Sequence, residues 1–365
     1  MRTGFVNRLL RPAAMAGLVI AGFSSTVSAD PLGYFQVNLT SDIQGLAQNF
    51  DPNLKNPWGM SYSATSPFWV SNQVTNVSTL YNAFGVPNAL VVSTPPTPGP
   101  GPTGQVFVGG QGFNLKGGGG AANFVFATLA GTIDGWNNAA GTSAVVQAST
   151  PGAVYTGLAV VGSNLYAADS VGNKIDVFDN SFNATTTSGK FIDPNVPAGF
   201  TPYNIQNIGG KLYVEYALED QPGGYIGVFD ANGNFLQHIS DTHLDSPWGI
   251  TLAPIAFGQF GGALLVGNEG NGMINAFDPI TGAFLGTLSD ANGNAIVNEG
   301  LWAIGFRQAG STFDPNALYF VAGINDEQDG LFGAIKPVPE PSTLMLMQLG
   351  LGSLAFAVRR RFTRS

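Results

Sequence analysis

The amino-acid sequence predicts an all-β chain folded as a six-bladed β-propeller, and three observations predict it. Glycine makes up 50 of the 365 residues and charged residues only 10%, against roughly 7% and 25% in ordinary soluble domains. Each glycine inside a helix costs about 1 kcal/mol, so this composition suits short strands joined by tight turns. A pattern of short strands recurs six times along the chain at a spacing of about 40 to 50 residues, the length of a four-stranded blade. The sixth copy stops one strand short, and the N-terminal region holds a strand with no hairpin partner of its own.

Taken in order, the chain begins with a positive stretch containing Arg2, Arg8 and Arg11, then an apolar run over residues 13–23. Val27-Ser28-Ala29 follows, a small-residue site of the kind cut after a secretory signal. At 11 residues the run is short of the roughly 20 needed to span a bilayer, so cleavage after Ala29 is expected over a permanent anchor. The unpartnered strand comes next, as Tyr34-Phe35-Gln36-Val37-Asn38-Leu39. Closing the ring with this strand would complete the sixth blade and remove an exposed edge.

The first copy opens on Asn56-Pro57-Trp58-Gly59 and continues through Phe68-Trp69-Val70-Ser71-Asn72, Thr79-Leu80-Tyr81-Asn82 and Ala89-Leu90-Val91-Val92. Residues 94–104, rich in proline and glycine, and residues 117–120 read as a long irregular connection between blades one and two. The second copy is weak, with Phe124-Val125-Phe126-Ala127 and Gly131-Thr132-Ile133-Asp134-Gly135-Trp136. The third holds Leu165-Tyr166-Ala167-Ala168-Asp169 and Ile175-Asp176-Val177-Phe178-Asp179; the fourth holds Leu212-Tyr213-Val214-Glu215 and Ile226-Gly227-Val228-Phe229-Asp230. The fifth repeats the opening as Ser246-Pro247-Trp248-Gly249, and the sixth runs from Leu301-Trp302-Ala303-Ile304 to Leu331-Phe332-Gly333-Ala334-Ile335. The expected domains are a signal over 1–29, the propeller over 30–336, and a tail over 337–365.

That tail carries Val338-Pro339-Glu340-Pro341, an apolar run over 344–358 and the cluster Arg359-Arg360-Arg361. Arginines there hold the chain on the cytoplasmic side and stop transfer. A 15-residue run is short for a lasting anchor, which favours a transient transmembrane segment over a plain C-terminal one. The order of the three parts resembles the PEP-CTERM sorting signal of Gram-negative bacteria. That resemblance implies export, recognition of Pro339, Glu340 and Pro341 by a membrane-embedded exosortase as partner, and delivery to the cell surface or extracellular matrix. Residues 34–336, through Asn56-Pro57-Trp58-Gly59, Trp69-Val70-Ser71-Asn72, Gly131-Thr132-Ile133-Asp134-Gly135-Trp136 and Ser246-Pro247-Trp248-Gly249, resemble an uncharacterised bacterial propeller family. This second resemblance implies fold and export but no catalytic residue.

Between the two ends, seven basic residues face twenty-two acidic ones, a net charge near −15. Such a surface repels phosphate backbones, so nucleic acid is excluded as a partner. With no cysteine in the chain, disulfides and thiolate chemistry are absent. The two histidines, His238 and His243, fall near the end of the fourth blade's last strand, away from any serine-based triad. Asp-Ala-Asn-Gly-Asn occurs at 230–234 and 290–294. An EF-hand loop needs glycine at its sixth position, so both copies read as hairpin turns. Asn72, Asp169, Glu215, Asn268 and Asn325 or Asp326 follow second strands, and Glu299 precedes the sixth inner strand. If these strand ends ring one mouth, Glu299, Asn268, Asp169 and Asn72 are candidate ligands for Ca2+; otherwise they form turns. Lactonase-type six-bladed propellers, which are similar in architecture, use such a metal. Trp58, Trp248 and Trp302 either stack a sugar at the channel mouth or wedge between blades as core. Two functions follow. The first is a non-enzymatic surface platform for a protein or polysaccharide, with no catalytic residue assigned; the second is a calcium-dependent hydrolase or lactonase at the channel mouth.

Overall fold

A computed structural model describes residues 33–339, apart from 118, 219–220 and 309–311. Six antiparallel sheets stand around one axis. Their inner strands are Pro57–Ser61, Pro102–Phe107, Tyr155–Val161, Thr201–Ile208, Pro247–Leu252 and Leu301–Gly305. Each inner strand touches the next, and the sixth touches the first, so the ring is closed.

The strands are buried on both faces, which explains their unbroken apolar runs. In the second strand of blade 1, Phe68 and Val70 pack toward blade 6 while Trp69 packs toward blade 2. The same two-residue alternation puts one apolar cluster into every seam between blades. No sheet could bury both faces alone, so the seams hold the ring together.

The sixth blade is completed as the sequence predicts. Tyr34–Ser41 pairs antiparallel with Leu331–Pro337, with Tyr34 opposite Pro337 and Ser41 opposite Leu331. A short strand, Asn49–Phe50, then adds in parallel as a fifth member. Tyr34 is buried and locks this closure into blade 5. Its hydroxyl donates to Phe257 O (3.1 Å) and accepts from Phe260 N (3.0 Å).

Blade 2 corrects the sequence reading. Pro102–Phe107 is its inner strand, so the irregular connection ends before residue 102 rather than at 104. Residues 117–120 lie inside blade 2, between its first and second strands, and not between blades. Both Asp-Ala-Asn-Gly-Asn segments are turns. Asp230 Oδ1 accepts from Asn232 N (2.8 Å) and Asn234 N (2.9 Å), and Asp290 Oδ1 does the same for Asn292 N (2.8 Å) and Asn294 N (2.9 Å).

Among the described residues no helix is long and apolar enough to cross a membrane. The apolar runs over 13–23 and 344–358, the cleavage residue Ala29, and Glu340, Pro341, Arg359, Arg360 and Arg361 all lie outside the described residues. Pro339 is described and exposed.

Candidate functional site at the axial mouth

The six inner strands align on one short pattern. Its third position reads Gly59, Gly104, Gly157, Asn204, Gly249 and Ala303. Glycine is needed because the next inner strand passes against it. A Cβ on Gly59 would collide with Thr103 O, one on Gly104 with Leu158 N, and one on Gly249 with Trp302 O. Asn204 fills the same place differently, donating from Nδ2 to Trp248 O (2.6 Å).

The second position carries Trp58, Tyr203, Trp248 and Trp302, and these four rings meet across the axis. Trp58 stacks on Trp302 with centroids 3.7 Å apart, and Trp248 meets both edge-on at 6.4 and 5.8 Å. Tyr203 packs at 6.4 Å from Trp58 and 5.8 Å from Trp302. The tryptophans are 7, 4 and 0% exposed. They are therefore core packed between blades, as one of the two sequence readings has it, and do not stand open as a sugar platform; they fill the channel where the inner strands begin. Beneath them on the axis lies a cavity of about 30 Å³, bordered by Met60, Gln105, Asn204, Trp248 and Ile304, room for about one water molecule.

Around the plug the mouth is acidic and conformationally unusual. Trp302 Nε1 donates to Asn56 Oδ1 (3.0 Å), and Asn56 Nδ2 donates to Gln73 Oε1 (3.1 Å) and Glu327 Oε2 (2.9 Å). Asn325, Asp326 and Glu327 all take left-handed backbone, with φ of 55, 49 and 62°. Non-glycine residues visit that region rarely, and clusters of them mark functional sites. Asn56 and Ser246, which precede the two Pro-Trp-Gly openings, share it with φ of 42 and 46°. Burial pushes the Glu269 carboxyl up to about 7, aided by the charges of Glu327 and Asp245. Burial also raises Glu327, opposed by its bond from Asn56. Glu269 is thus a carboxyl that exchanges its proton near neutrality, able to act as donor or acceptor toward a bound hydroxyl.

The sequence-predicted ligands are used locally. Asn72 Nδ2 donates to Thr79 Oγ1 (2.8 Å). Asp169 Oδ1 accepts from Val154 N (3.1 Å) and Gly172 N (2.9 Å). Asn268 Nδ2 donates to His243 O (2.7 Å) and Asn271 Oδ1 (3.1 Å), and Glu299 Oε1 accepts from Asp326 N (2.8 Å). Among the described residues no three His, Asp or Glu side chains gather to hold a metal ion. Buried acceptors without a donor do exist: Asn72 Oδ1, Asn268 Oδ1 and both carboxylate oxygens of Glu215. The histidines lie off the mouth. His238 Nδ1 sits 2.6 Å from Asp193 Oδ2, and His243 Nδ1 sits 2.6 Å from Asp241 Oδ1.

Sequence reasoning missed Asn56, Glu269, Tyr203 and Glu327 as mouth residues. Asn56 and Tyr203 were detectable, because each holds a fixed place beside or within the repeated inner-strand pattern. Glu269 and Glu327 lie in turns of different length, and no spacing marks them.

Residues 337–361 match the PEP-CTERM protein-sorting motif, the mark of an exported, exosortase-sorted protein. The chain is 32% identical over 321 residues to uncharacterized protein R648 of Acanthamoeba polyphaga mimivirus, covering 81% of this chain and 78% of that protein. It is 31% identical over 364 residues to uncharacterized protein L690 of the same virus, covering 89% and 94%. Both relatives are viral, so a bacterial setting rests on the sorting motif alone. Among solved structures, virginiamycin B lyase from Staphylococcus aureus superposes with a TM-score of 0.51 at 14% identity, over 84% of this chain and 100% of that one. At that identity the likeness is one of fold.

Proposed function

The chain belongs to one family with the mimivirus proteins R648 and L690, and on that premise we propose that it is an exported binding platform of the cell surface or extracellular matrix. Its ligand is a polysaccharide, held at the axial mouth of a rigid propeller. The observation that carries this reading is the mouth itself. Glu269, Glu299 and Glu327 come together from blades 5 and 6 at one side of a buried aromatic plug, Glu327 reaching Trp302 through Asn56, and three consecutive residues there are held in left-handed backbone. Carboxylates and carboxyls set on a rigid frame bind sugar hydroxyls through paired hydrogen bonds, and preorganisation reduces the entropy lost on binding. The sorting motif supplies the setting, because a protein delivered to the surface meets polysaccharide there. A surface protein as ligand is the other outcome of the same test.

The test is affinity electrophoresis of the purified body through gels containing surface polysaccharide. Retardation is expected, and Glu269→Gln with Glu327→Gln should weaken it about tenfold while leaving the melting temperature within a few degrees. Unretarded migration on every polysaccharide tried would overturn the reading.

A second reading, a calcium-dependent hydrolase or lactonase, is favoured by the donor-less buried oxygens of Asn72, Asn268 and Glu215. Calorimetric titration with Ca2+ separates the two. Binding that is lost in Glu299→Gln together with lactone hydrolysis supports the hydrolase. Retention of polysaccharide in chelator supports the platform.

A further inference from the structure

Both ends of the described chain leave the propeller at one point. Val338 N donates to Gly33 O (2.9 Å), which makes the two termini neighbours. This point is pinned to the loop over residues 253–263 of blade 5. The Tyr34 hydroxyl bridges Phe257 O and Phe260 N there, and a Cβ on Gly258 would lie 3.0 Å from Pro337 Cβ. That loop joins the end of inner strand Pro247–Leu252 to the start of second strand Leu264–Asn268. It therefore lies at the end of the molecule away from the aromatic mouth.

Three features of this corner suit lipid. No charged residue occurs anywhere in 246–268, although the body carries a net charge near −15. Ile255 stands at the loop with 85% of its surface exposed, and Phe35, next to the closure tyrosine, is 42% exposed. The apolar run over 344–358 begins only five residues after Pro339. Five residues reach at most about 17 Å, a fraction of the roughly 50 Å diameter expected for a folded body of this length. A body so tethered cannot turn over.

We propose that, while the tail is in the bilayer, the propeller rests on the membrane through the 253–263 loop, with Ile255 in the lipid interface and the acidic mouth turned outward. The tether sets which corner meets the membrane, and the uncharged loop is the surface that meets it. The proposal rests on the tail being a membrane segment, so the experiment reads that separately.

Because the chain has no cysteine, one can be placed at will. The full chain is prepared as Ile255→Cys and as Val171→Cys, the latter in a mouth-end turn of blade 3 that is 69% exposed. Each is labelled with an environment-sensitive fluorophore and reconstituted into phosphatidylethanolamine–phosphatidylglycerol vesicles containing a nitroxide-bearing lipid. Co-sedimentation with the vesicles reads the tail. Quenching by the lipid reads the orientation, and at least threefold stronger quenching at 255 than at 171 is expected. Co-sedimentation with equal quenching at both sites, or stronger quenching at 171, overturns the orientation. A label at 255 that is shielded from water yet not quenched by lipid overturns it in favour of a protein contact. Failure to co-sediment overturns the membrane reading of the tail, and the orientation with it.

Discussion

Asp134 and Glu215 are fully buried acids, their charged forms opposed by burial and only partly relieved by Thr132 and by Asn204. Burial raises both, Asp134 from 3.8 to about 8. The folded chain therefore keeps a proton on Asp134 that the unfolded chain releases between those two values. Stability contributed by this group is full below pH ~4 and is lost as pH rises toward ~8. Asp134→Asn keeps the shape without the titration. Its unfolding free energy in urea should match the parent near pH 4 and exceed it at pH 8 by on the order of 5 kcal/mol. Equal stability at both pH values would show that Asp134 is hydrated. Such residues also mark what sequence reading loses at this scale. The sequence assigns Asp134 no role of its own within its strand motif, because nothing along the chain says that its side chain is fully buried. Asn72, Asp169 and Asn268 end second strands as the sequence predicts, whereas Glu215 lies inside its strand, Lys211–Leu218. Asn72 is held by Thr79 of the neighbouring strand, but the partners of Asp169 and Asn268 come from turns and loops whose course has no repeat.

At the scale of the element, the closing strand is the piece on which the sixth blade depends. Removing the Tyr34 ring empties a site packed against Phe257 (4.8 Å) and Phe260 (6.1 Å) and orphans the two backbone groups its hydroxyl serves. Tyr34→Ala should cost about 3–5 kcal/mol, measured as a shift in the urea midpoint. A loss below about 1 kcal/mol would mean that Tyr34–Ser41 does little to hold the ring. This strand was legible from arithmetic, since a blade one strand short required it. The inner strand Pro102–Phe107 was not. Its Pro-Thr-Gly opening follows directly on a proline-rich run, and Thr103 stands where blades 1, 4, 5 and 6 place an aromatic, so the turn signal hid the repeat.

For the body over residues 30–336, the balance of seven basic against twenty-two acidic residues sets a field that opposes compaction. Raising NaCl from about 10 mM to 150 mM shortens the screening length from about 30 to 8 Å. The melting temperature at pH 8 should therefore rise by a few degrees, and scanning calorimetry reads it directly. A fall would mean that ion pairs such as Lys55 with Asp42 (2.5 Å) and Asp329 (3.1 Å) outweigh the repulsion. The count and order of blades were legible because each seam needs apolar residues at alternate positions, a signal written locally in every strand. The mouth was less so, since it is assembled from strand starts and turns of blades far apart in the chain.

A last blade built from residues 34–41 and 331–337 has a temporal meaning. The first strand to emerge from a secretion channel has no partner until nearly the whole chain has followed it. Until then the ring of blades has no closing strand pair and the outer edge of Leu331–Pro337 has no partner. The sorting motif over residues 337–361 follows directly on Leu331–Pro337, so in chain order the closing pair and the motif are made together.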